Sequence, residues 1–249
     1  MDGQAAGVRP PAARRQGLQE QEAFMEKQTL GEITAQKLVR MIQERGYVPG
    51  DKLPTEMELS EVLGVGRNTV REALRILMSR NIVTIRQGSG TFVSEKNGIP
   101  DDPLGFTMME DTGKLTRDLL QVRVILEPPI AALAAQNATG EDLARLEQIL
   151  DEVEALVRQR KDYAEKDSQF HAQIAACSHN TVMSNLVPVI TDGVRVFASA
   201  VRETEYDQTL VSHRAIFEAI RDKKAVEAQQ AMYFHLMYNQ NRYLMEQNH

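Results

Sequence analysis

The stretch from Leu59 to Leu77, LSEVLGVGRNTVREALRIL, constrains the fold more than any other part of the chain. Its apolar residues recur at the spacing of two short amphipathic helices. Gly64 lies between them, and only glycine adopts the left-handed conformation that ends a helix without steric cost. Asn68 and Thr69 stand where side chains cap the start of a second helix. The sequence therefore predicts a helix, a tight turn and another helix.

The second helix of this pair presents arginines on one exposed face. Arg67, Arg71 and Arg75 are four residues apart, so their side chains project from the same side. A guanidinium group grips phosphate oxygens or the guanine edge through two hydrogen bonds. Such a helix pair is typical of the helix-turn-helix that reads the DNA major groove. The alternative is an ordinary solvated basic face.

The flanking segments extend the helix pair into a larger unit. Upstream, the residues from Leu30 to Arg45 have the apolar spacing of an amphipathic helix. Downstream, a β-branched run that starts at Ile82 and the segment Thr91–Val93 enclose the glycine-rich sequence RQGSG. Two short strands around such a tip form a hairpin, which is the wing of a winged helix.

The run PGDKLPTEMELSEVLGVGRNTVREALRILMSRNIVTIRQGSGTFV resembles the DNA-binding domain of the GntR family of bacterial transcription regulators, over residues 30–95. The resemblance implies a winged helix-turn-helix over residues 28–95 that binds double-stranded operator DNA, with the wing tip in the minor groove. It places Arg67, Thr69 and Arg71 at operator phosphates and bases, and Gly88 at the minor groove. Asn68, Arg75 and Gln87 are further candidates for DNA contact. Met57 and Gly66 depart from the family pattern, because an operator-contacting arginine and a hydroxyl-bearing residue are common there. The resemblance therefore gives no operator sequence.

Composition bounds the rest of the chain. The 249 residues suffice for two modest domains, and 42% hydrophobic residues supply their cores. The net charge of -6 requires the basic surface to be local, between Arg67 and Arg86.

The single cysteine, Cys177, excludes an intrachain disulfide, fits the reducing cytoplasm and is expected to pack in the core. No run approaches about eighteen apolar residues, so we expect no membrane span.

The chain changes character at two boundaries. Residues 1–27 are rich in Pro, Gly, Ala, Arg and Gln and lack the apolar segment of a secretory signal, so we expect a disordered tail. Residues 96–114 are rich in Gly, Pro and Asp and are expected to form a linker. Residues 115–249 have helical periodicity, which predicts an antiparallel all-helical bundle and hence a mainly α protein. Pro128-Pro129 is expected to kink or break the first bundle helix, because proline has no amide hydrogen.

A second group of chemistry-bearing residues lies in the helical part. Asp167 and His171 are four residues apart and share one helix face, while His213 and His235 each lie on their own amphipathic helix. One carboxylate and three imidazoles are a ligand set for a divalent transition metal. Taken singly, each histidine is more often a hydrogen-bonded core residue than a ligand.

The pattern R-x-x-L-E, D-x-x-F-H and two later histidines resembles the FCD ligand-binding domain of FadR-type GntR regulators, over residues 115–245. The resemblance implies that Asp167, His171, His213 and His235 hold a divalent metal ion. Residue type does not separate zinc, nickel and manganese, and zinc is the first expectation.

Three further residues are expected to bind an effector. By the same resemblance Arg123 points into a cavity and pairs with an effector carboxylate, although an ion pair with Glu127 is the alternative. Arg195 lies on a nearly apolar helix and needs an anionic partner, which the effector or an acid of the bundle would supply. Asn180 is assigned to the effector, with a helix cap as the alternative. Arginines beside a metal favour a small carboxylate: a hydroxy acid, a sugar acid or a dicarboxylate.

These expectations combine into one predicted function with two alternatives. We predict a homodimeric, cytoplasmic repressor that binds a palindromic operator and responds to a small carboxylate through its metal-binding helical domain. The first alternative is a DNA-binding regulator whose helical domain is metal-free and only dimerises. The second is a metal-dependent hydrolase. The sequence shows no nucleophile motif such as G-x-S-x-G, so the chain is predicted not to be an enzyme.

Overall fold

The computed structural model describes three stretches of the chain, residues 28–96, 98–197 and 206–246. The chain divides into two compact units between Asp101 and Asp102, and each unit is described by itself. The predicted tail over residues 1–27 lies outside the described residues. Within the described stretches, no helix combines the length and the apolar character that crossing a bilayer requires.

The first unit is a winged helix-turn-helix, as predicted. Its elements are α1 Leu30–Glu44, α2 Glu56–Leu63, α3 Arg67–Ser79, β1 Val83–Arg86 and β2 Gly90–Val93. Gly64 ends α2 in the left-handed conformation, with φ of 66°. The two strands pair antiparallel, and Gln87 and Gly88 lie in the turn between them.

A small apolar core positions α3. Leu38 of α1, Leu59 of α2 and Leu74 of α3 are fully buried in this core. Burial of each such side chain contributes about 1.5–3 kcal/mol relative to exposure. Capping boxes at Thr29 and Thr55 fix the starts of α1 and α2. The opposite face of α3 is therefore left to solvent.

The predicted capping of α3 by Asn68 and Thr69 is wrong. The helix begins at Arg67, so both residues lie inside its first turn. Gly66 is the N-cap, and its carbonyl accepts hydrogen bonds from the amides of Thr69 and Val70 at 3.0 and 3.1 Å. A glycine cap has no side-chain oxygen, and within the described unit no side-chain hydrogen bond closes this helix start.

The second unit is all-helical, as predicted. After a single 3₁₀ turn at Phe106–Met108, its described helices are α4 Thr112–Asn137, α5 Gly140–Arg158, α6 Ala164–Cys177, α7 Thr181–Phe197, α8 Tyr206–Arg221 and α9 Ala225–Glu246. The central helix is α4, which packs against α6, α7, α8 and α9. The end of the expected linker belongs to this unit, because Phe106 packs against Leu115, Leu119 and Ile190.

The central helix α4 is not broken by its two prolines. Pro128 and Pro129 lie inside the continuous helix Thr112–Asn137, so of the predicted kink or break the break is wrong, and the kink stays a prediction. Each proline costs about 3 kcal/mol in a helix interior. Burial of Pro128, Ile130 and Ala131 offsets this cost, because this part of α4 lies in the main core. Tertiary packing therefore outweighs the low helix propensity of the two prolines.

Cys177 packs in the core of the second unit, as predicted. Its side chain is fully buried at the end of α6. Burial raises the pKa of the thiol to about 12, so the sulfur stays protonated and is a poor nucleophile.

Candidate DNA-binding surface and metal centre

The exposed face of α3 carries the arginines that the sequence places there. Arg67, Arg71 and Arg75 are all exposed. Arg71 is held by Glu56 of α2, with Nε 3.2 Å from Oε1 and Nη2 2.7 Å from Oε2. The hydrogen bond from Arg71 holds the pKa of Glu56 below its usual value. This pair is exposed to solvent and weakened by screening, so a DNA phosphate can replace the carboxylate.

The start of α3 and the tip of the wing complete this surface. Gly66, Arg67 and Asn68 are exposed at a helix N-terminus, where free backbone amides and the helix dipole favour an anion. Gln87 and Gly88 are exposed at the wing tip, and Gly88 has a positive φ of 74° that a glycine adopts readily. DNA contact by these residues stays a prediction, and their exposure leaves them accessible for it.

The structure brings the four candidate metal ligands together. The ligand atoms of Asp167, His171, His213 and His235 all lie within 4.8 Å of one another. Helix α6 supplies the first two, one turn apart, while α8 and α9 supply one histidine each. The three histidines are buried and Asp167 is half-buried. This buried cluster could hold a metal ion.

Neighbouring side chains fix the orientation of two imidazole rings. Nδ1 of His171 lies 2.5 Å from Oε2 of Glu127, and Nδ1 of His235 lies 2.9 Å from Oγ of Ser212. Ser212 donates its own hydrogen to the carbonyl of Gln208 at 2.9 Å, so it accepts from His235. The His235 ring therefore carries its proton on Nδ1 and directs its Nε2 lone pair into the cluster.

The geometry and the donor set fit a divalent transition metal. Nε2 of His213 lies 3.3 Å from a carboxylate oxygen of Asp167 and 3.4 Å from Nε2 of His235. Nε2 of His171 is buried and has no hydrogen-bond partner among the described residues. Such a buried nitrogen costs about 1–3 kcal/mol if nothing satisfies it. Three imidazoles and one carboxylate suit zinc, nickel or manganese.

Burial keeps His213 and His235 in the form that binds metal. Burial lowers the pKa of His213 to about 4, although Asp167 acts in the opposite direction. Burial also lowers the pKa of His235 well below its ordinary value. Both rings are therefore neutral at pH 7 and have a lone pair available. Glu127 is ionised, because Arg123 and His171 overcome the effect of burial and lower its pKa to about 2.

A cavity of about 100 Å³ lies beside the cluster, and Asp167 forms part of its wall. Its lining includes three arginines, Arg123, Arg195 and Arg242. The other polar residues of the lining, apart from Asp167, are Tyr163, Ser168, Thr191, Thr209, Asn239 and Tyr243. The cavity thus offers cations and hydroxyl groups next to the four candidate metal ligands.

Arg123 combines the two roles that the sequence left open. It lines the cavity, and its Nε donates to Oε1 of Glu127 at 2.5 Å in a pair that is buried. Its Nη2 is buried without a hydrogen-bond partner among the described residues. Because Glu127 also contacts His171, one carboxylate links the cavity arginine to a candidate metal ligand.

The other two predicted effector residues differ in position. Arg195 lines the cavity, and its Nε lies 3.1 Å from a carboxylate oxygen of Asp192. Asn180 does not belong to the lining. Its Oδ1 accepts hydrogen bonds from the amides of Val182 and Met183, so it caps α7. The cap alternative therefore accounts for Asn180, and we remove it from the effector set.

Two of the cavity residues that the sequence did not single out follow His235 at helical spacing. Asn239 and Arg242 follow His235 on α9 by four and seven residues, so all three lie on one helix face. This spacing was a signal that could have found them.

The chain combines a winged helix-turn-helix with a helical unit. The helical unit contains four candidate metal ligands and a cavity beside them. This combination defines a DNA-binding regulator. The pattern of the bacterial regulatory proteins of the gntR family matches residues 30–93, and that of the FCD domain matches residues 118–237. The chain belongs to the GntR family, in its FCD-containing FadR subfamily. It is a DNA-binding transcriptional regulator.

Known relatives agree with this assignment. The chain is 33% identical to the galactonate operon transcriptional repressor of Escherichia coli over 201 residues, which cover 78% of this chain and 88% of that protein. It is 34% identical to the Uxu operon regulator of Haemophilus influenzae over 209 residues, covering 81% and 77%. A solved structure, Streptococcus agalactiae GntR, is 42% identical with a TM-score of 0.76 and covers 85% and 99%. These relatives are regulators, which confirms that the chain is not an enzyme and removes the hydrolase alternative.

Proposed function

We propose that the protein is a metabolite-responsive repressor that binds a palindromic operator as a homodimer. The observation that carries this proposal is the position of Asp167, which belongs both to the buried cluster and to the cavity wall. A small molecule in the cavity therefore meets the cluster and the cavity arginines at the same time. A regulator of this kind would act in the cytoplasm.

Asp167, His171, His213 and His235 would hold the metal ion, and zinc is the proposed ion. When bound, the ion supplies a Lewis-acid site for the oxygen atoms of a ligand. The chain does the rest of the recognition. Ligand-orienting contacts come from Glu127 and Ser212, as described above. Arg123 has a buried Nη2 that can donate to a carboxylate, which is the charge-assisted hydrogen bond that arginine forms best.

The proposed effector is a sugar acid. The cavity volume of about 100 Å³ suits a small organic acid. Hydroxyl groups of Ser168, Thr191 and Thr209 line it, and a polyhydroxy acid can bond to them. A plain dicarboxylate would leave these hydroxyls without ligand partners. The name of the Escherichia coli relative, a galactonate operon repressor, points to the same class of compound.

Exposed apolar side chains on α4 and α9 support the proposed dimer. Ile125, Val226 and Phe234 are 63%, 64% and 67% exposed and line one shallow groove. Exposed apolar patches of this kind mark interaction surfaces. A palindromic operator needs two recognition helices related by a two-fold axis, so the proposed occupant of this groove is the same face of a second copy. Effector binding must then favour one of two dimer conformations, because equal binding shifts nothing.

A thermal-shift titration tests the effector. With zinc present, galactonate at about a hundred times its Kd is expected to raise the melting temperature by roughly 5–10 °C. A chelator should remove most of this shift, because the ion and the arginines act on the same ligand. Succinate, which has no hydroxyl groups, is the matched control and should shift the transition less. A shift that is unaffected by chelation would contradict a metal-dependent site.

Glu127 is expected to be a positioning residue for the metal centre. The substitution Glu127→Gln should lower zinc affinity about 10–100-fold, because the neutral amide holds His171 and Arg123 less firmly. Affinity is measured by competition with a chromophoric chelator. The matched control is Glu154→Gln, which removes another buried glutamate that binds Arg214 outside the cluster. Equal losses in the two variants would show a general folding defect instead.

A further inference from the structure

Asn239 touches both the cluster and the cavity. It lies on α9, one turn after His235, and is half-buried. Its Nδ2 is 3.2 Å from Nε2 of His235, and the residue also lines the cavity. Nε2 is the ring atom that His235 directs toward the other candidate ligands, so the amide hydrogen bond falls on a ligand atom.

The contact of Asn239 with His235 matters because the His235 ring has only one lone pair to offer. A neutral imidazole has one N–H and one lone pair. Ser212 accepts the N–H at Nδ1, over 2.9 Å, so the lone pair is on Nε2. The amide of Asn239 donates to this lone pair. A metal ion needs the same lone pair, and one lone pair cannot serve both partners.

The other neighbour of this nitrogen does not replace Asn239. Nε2 of His213 lies 3.4 Å from Nε2 of His235, which is farther than the amide of Asn239. The same His213 nitrogen lies 3.3 Å from an Asp167 oxygen, and this carboxylate is the stronger acceptor. Among the described residues, Asn239 is therefore the donor best placed for the lone pair of His235.

We propose that Asn239 is a guard residue, which occupies the ligand nitrogen of His235 in the metal-free protein and so lowers the affinity for metal. The inference rests on the metal centre proposed above. Metal binding requires the amide to leave Nε2, and rotation of the Asn239 side chain toward the adjoining cavity allows this without movement of α9. The guard makes the ion easier to exchange and satisfies a buried nitrogen when the ion is absent.

The test is the zinc affinity of the full-length protein, with Zn²⁺ as the only added ligand and a chromophoric chelator as competitor. Asn239→Leu keeps the branched shape of the side chain but has no donor, and it is expected to raise zinc affinity about three- to tenfold, the equivalent of one hydrogen bond. Asn239→Asp also lacks a donor when ionised and should raise the affinity at least as much. Damage to the structure would lower the affinity, so the predicted direction separates a guard from a purely structural residue.

The control variant replaces another asparagine, which lies outside both the cluster and the cavity lining. Nδ2 of Asn137 donates to the carbonyl of Ser178 at 2.9 Å, and Asn137→Leu should leave zinc affinity unchanged. If wild type binds zinc and both Asn239 variants bind it equally or more weakly, the guard is refuted while the metal centre stands. If wild type binds no zinc, the metal centre fails and the guard fails with it.

Discussion

Replacing Arg71 with alanine is expected to weaken operator binding severely at physiological salt. Arg71 lies in the middle of the exposed face of α3, with its guanidinium group fixed by Glu56. An arginine contact to a base or phosphate contributes about 1–3 kcal/mol, and a dimer loses two of them. Affinity should therefore fall roughly 30-fold or more, which a fluorescence-anisotropy titration with operator DNA measures. The exposed pair with Glu56 adds little stability, so the variant should stay folded.

Two control variants separate a specific contact from a loss of charge. Arg158→Ala removes the same charge from an exposed side chain on α5 of the other unit and should leave operator binding unchanged. Glu56→Gln removes the carboxylate that competes with DNA for Arg71 and should strengthen binding. A folded Arg71→Ala protein that binds operator like wild type would contradict the proposed recognition helix.

Replacing His213 with alanine is expected to remove metal binding and leave operator binding intact. His213 is fully buried, and its Nε2 lies 3.3 Å from Asp167 and 3.4 Å from His235. Loss of a residue that only orients a metal ligand lowers metal affinity about 10–100-fold. Loss of a ligand itself should have a larger effect, so we expect zinc affinity to fall more than about 100-fold. Zinc should then no longer raise the melting temperature, and the response to galactonate should disappear with it.

The matched control for this variant is another histidine. His179 is half-exposed, pairs with Asp142 and lies outside the cluster. His179→Ala should keep both the zinc-dependent rise in melting temperature and the operator affinity of wild type. A folded His213→Ala protein with an unchanged zinc response would show that the buried imidazoles are core residues only, which is the metal-free alternative.

The fold was largely predictable because its signals are local. Glycine at the end of α2, apolar periodicity in the helices and the β-branched run of β1 each act within a few residues. The two wrong predictions about the fold, the cap of α3 and the break in α4, also have physical causes. The cap of α3 was misplaced because Gly66 caps with its backbone alone. The break at Pro128-Pro129 was wrong because burial in the core offsets a local cost.

The site was predictable only in part. The spacing of Asp167 and His171 follows from helix geometry, but the arrival of His213 and His235 at the same point depends on how three helices pack. The family resemblance supplied this convergence, and the structure confirms it. The contact of Glu127 with His171 joins two helices, and no pattern in the sequence indicates it.

The metal content of the zinc-reconstituted and dialysed protein tests the central claim most directly. Elemental analysis should find metal equimolar with the chain in wild type and in Arg71→Ala, and almost none in His213→Ala. Wild-type protein that is folded and binds operator but retains no metal would contradict the claim. So would a His213→Ala protein that retains as much metal as wild type.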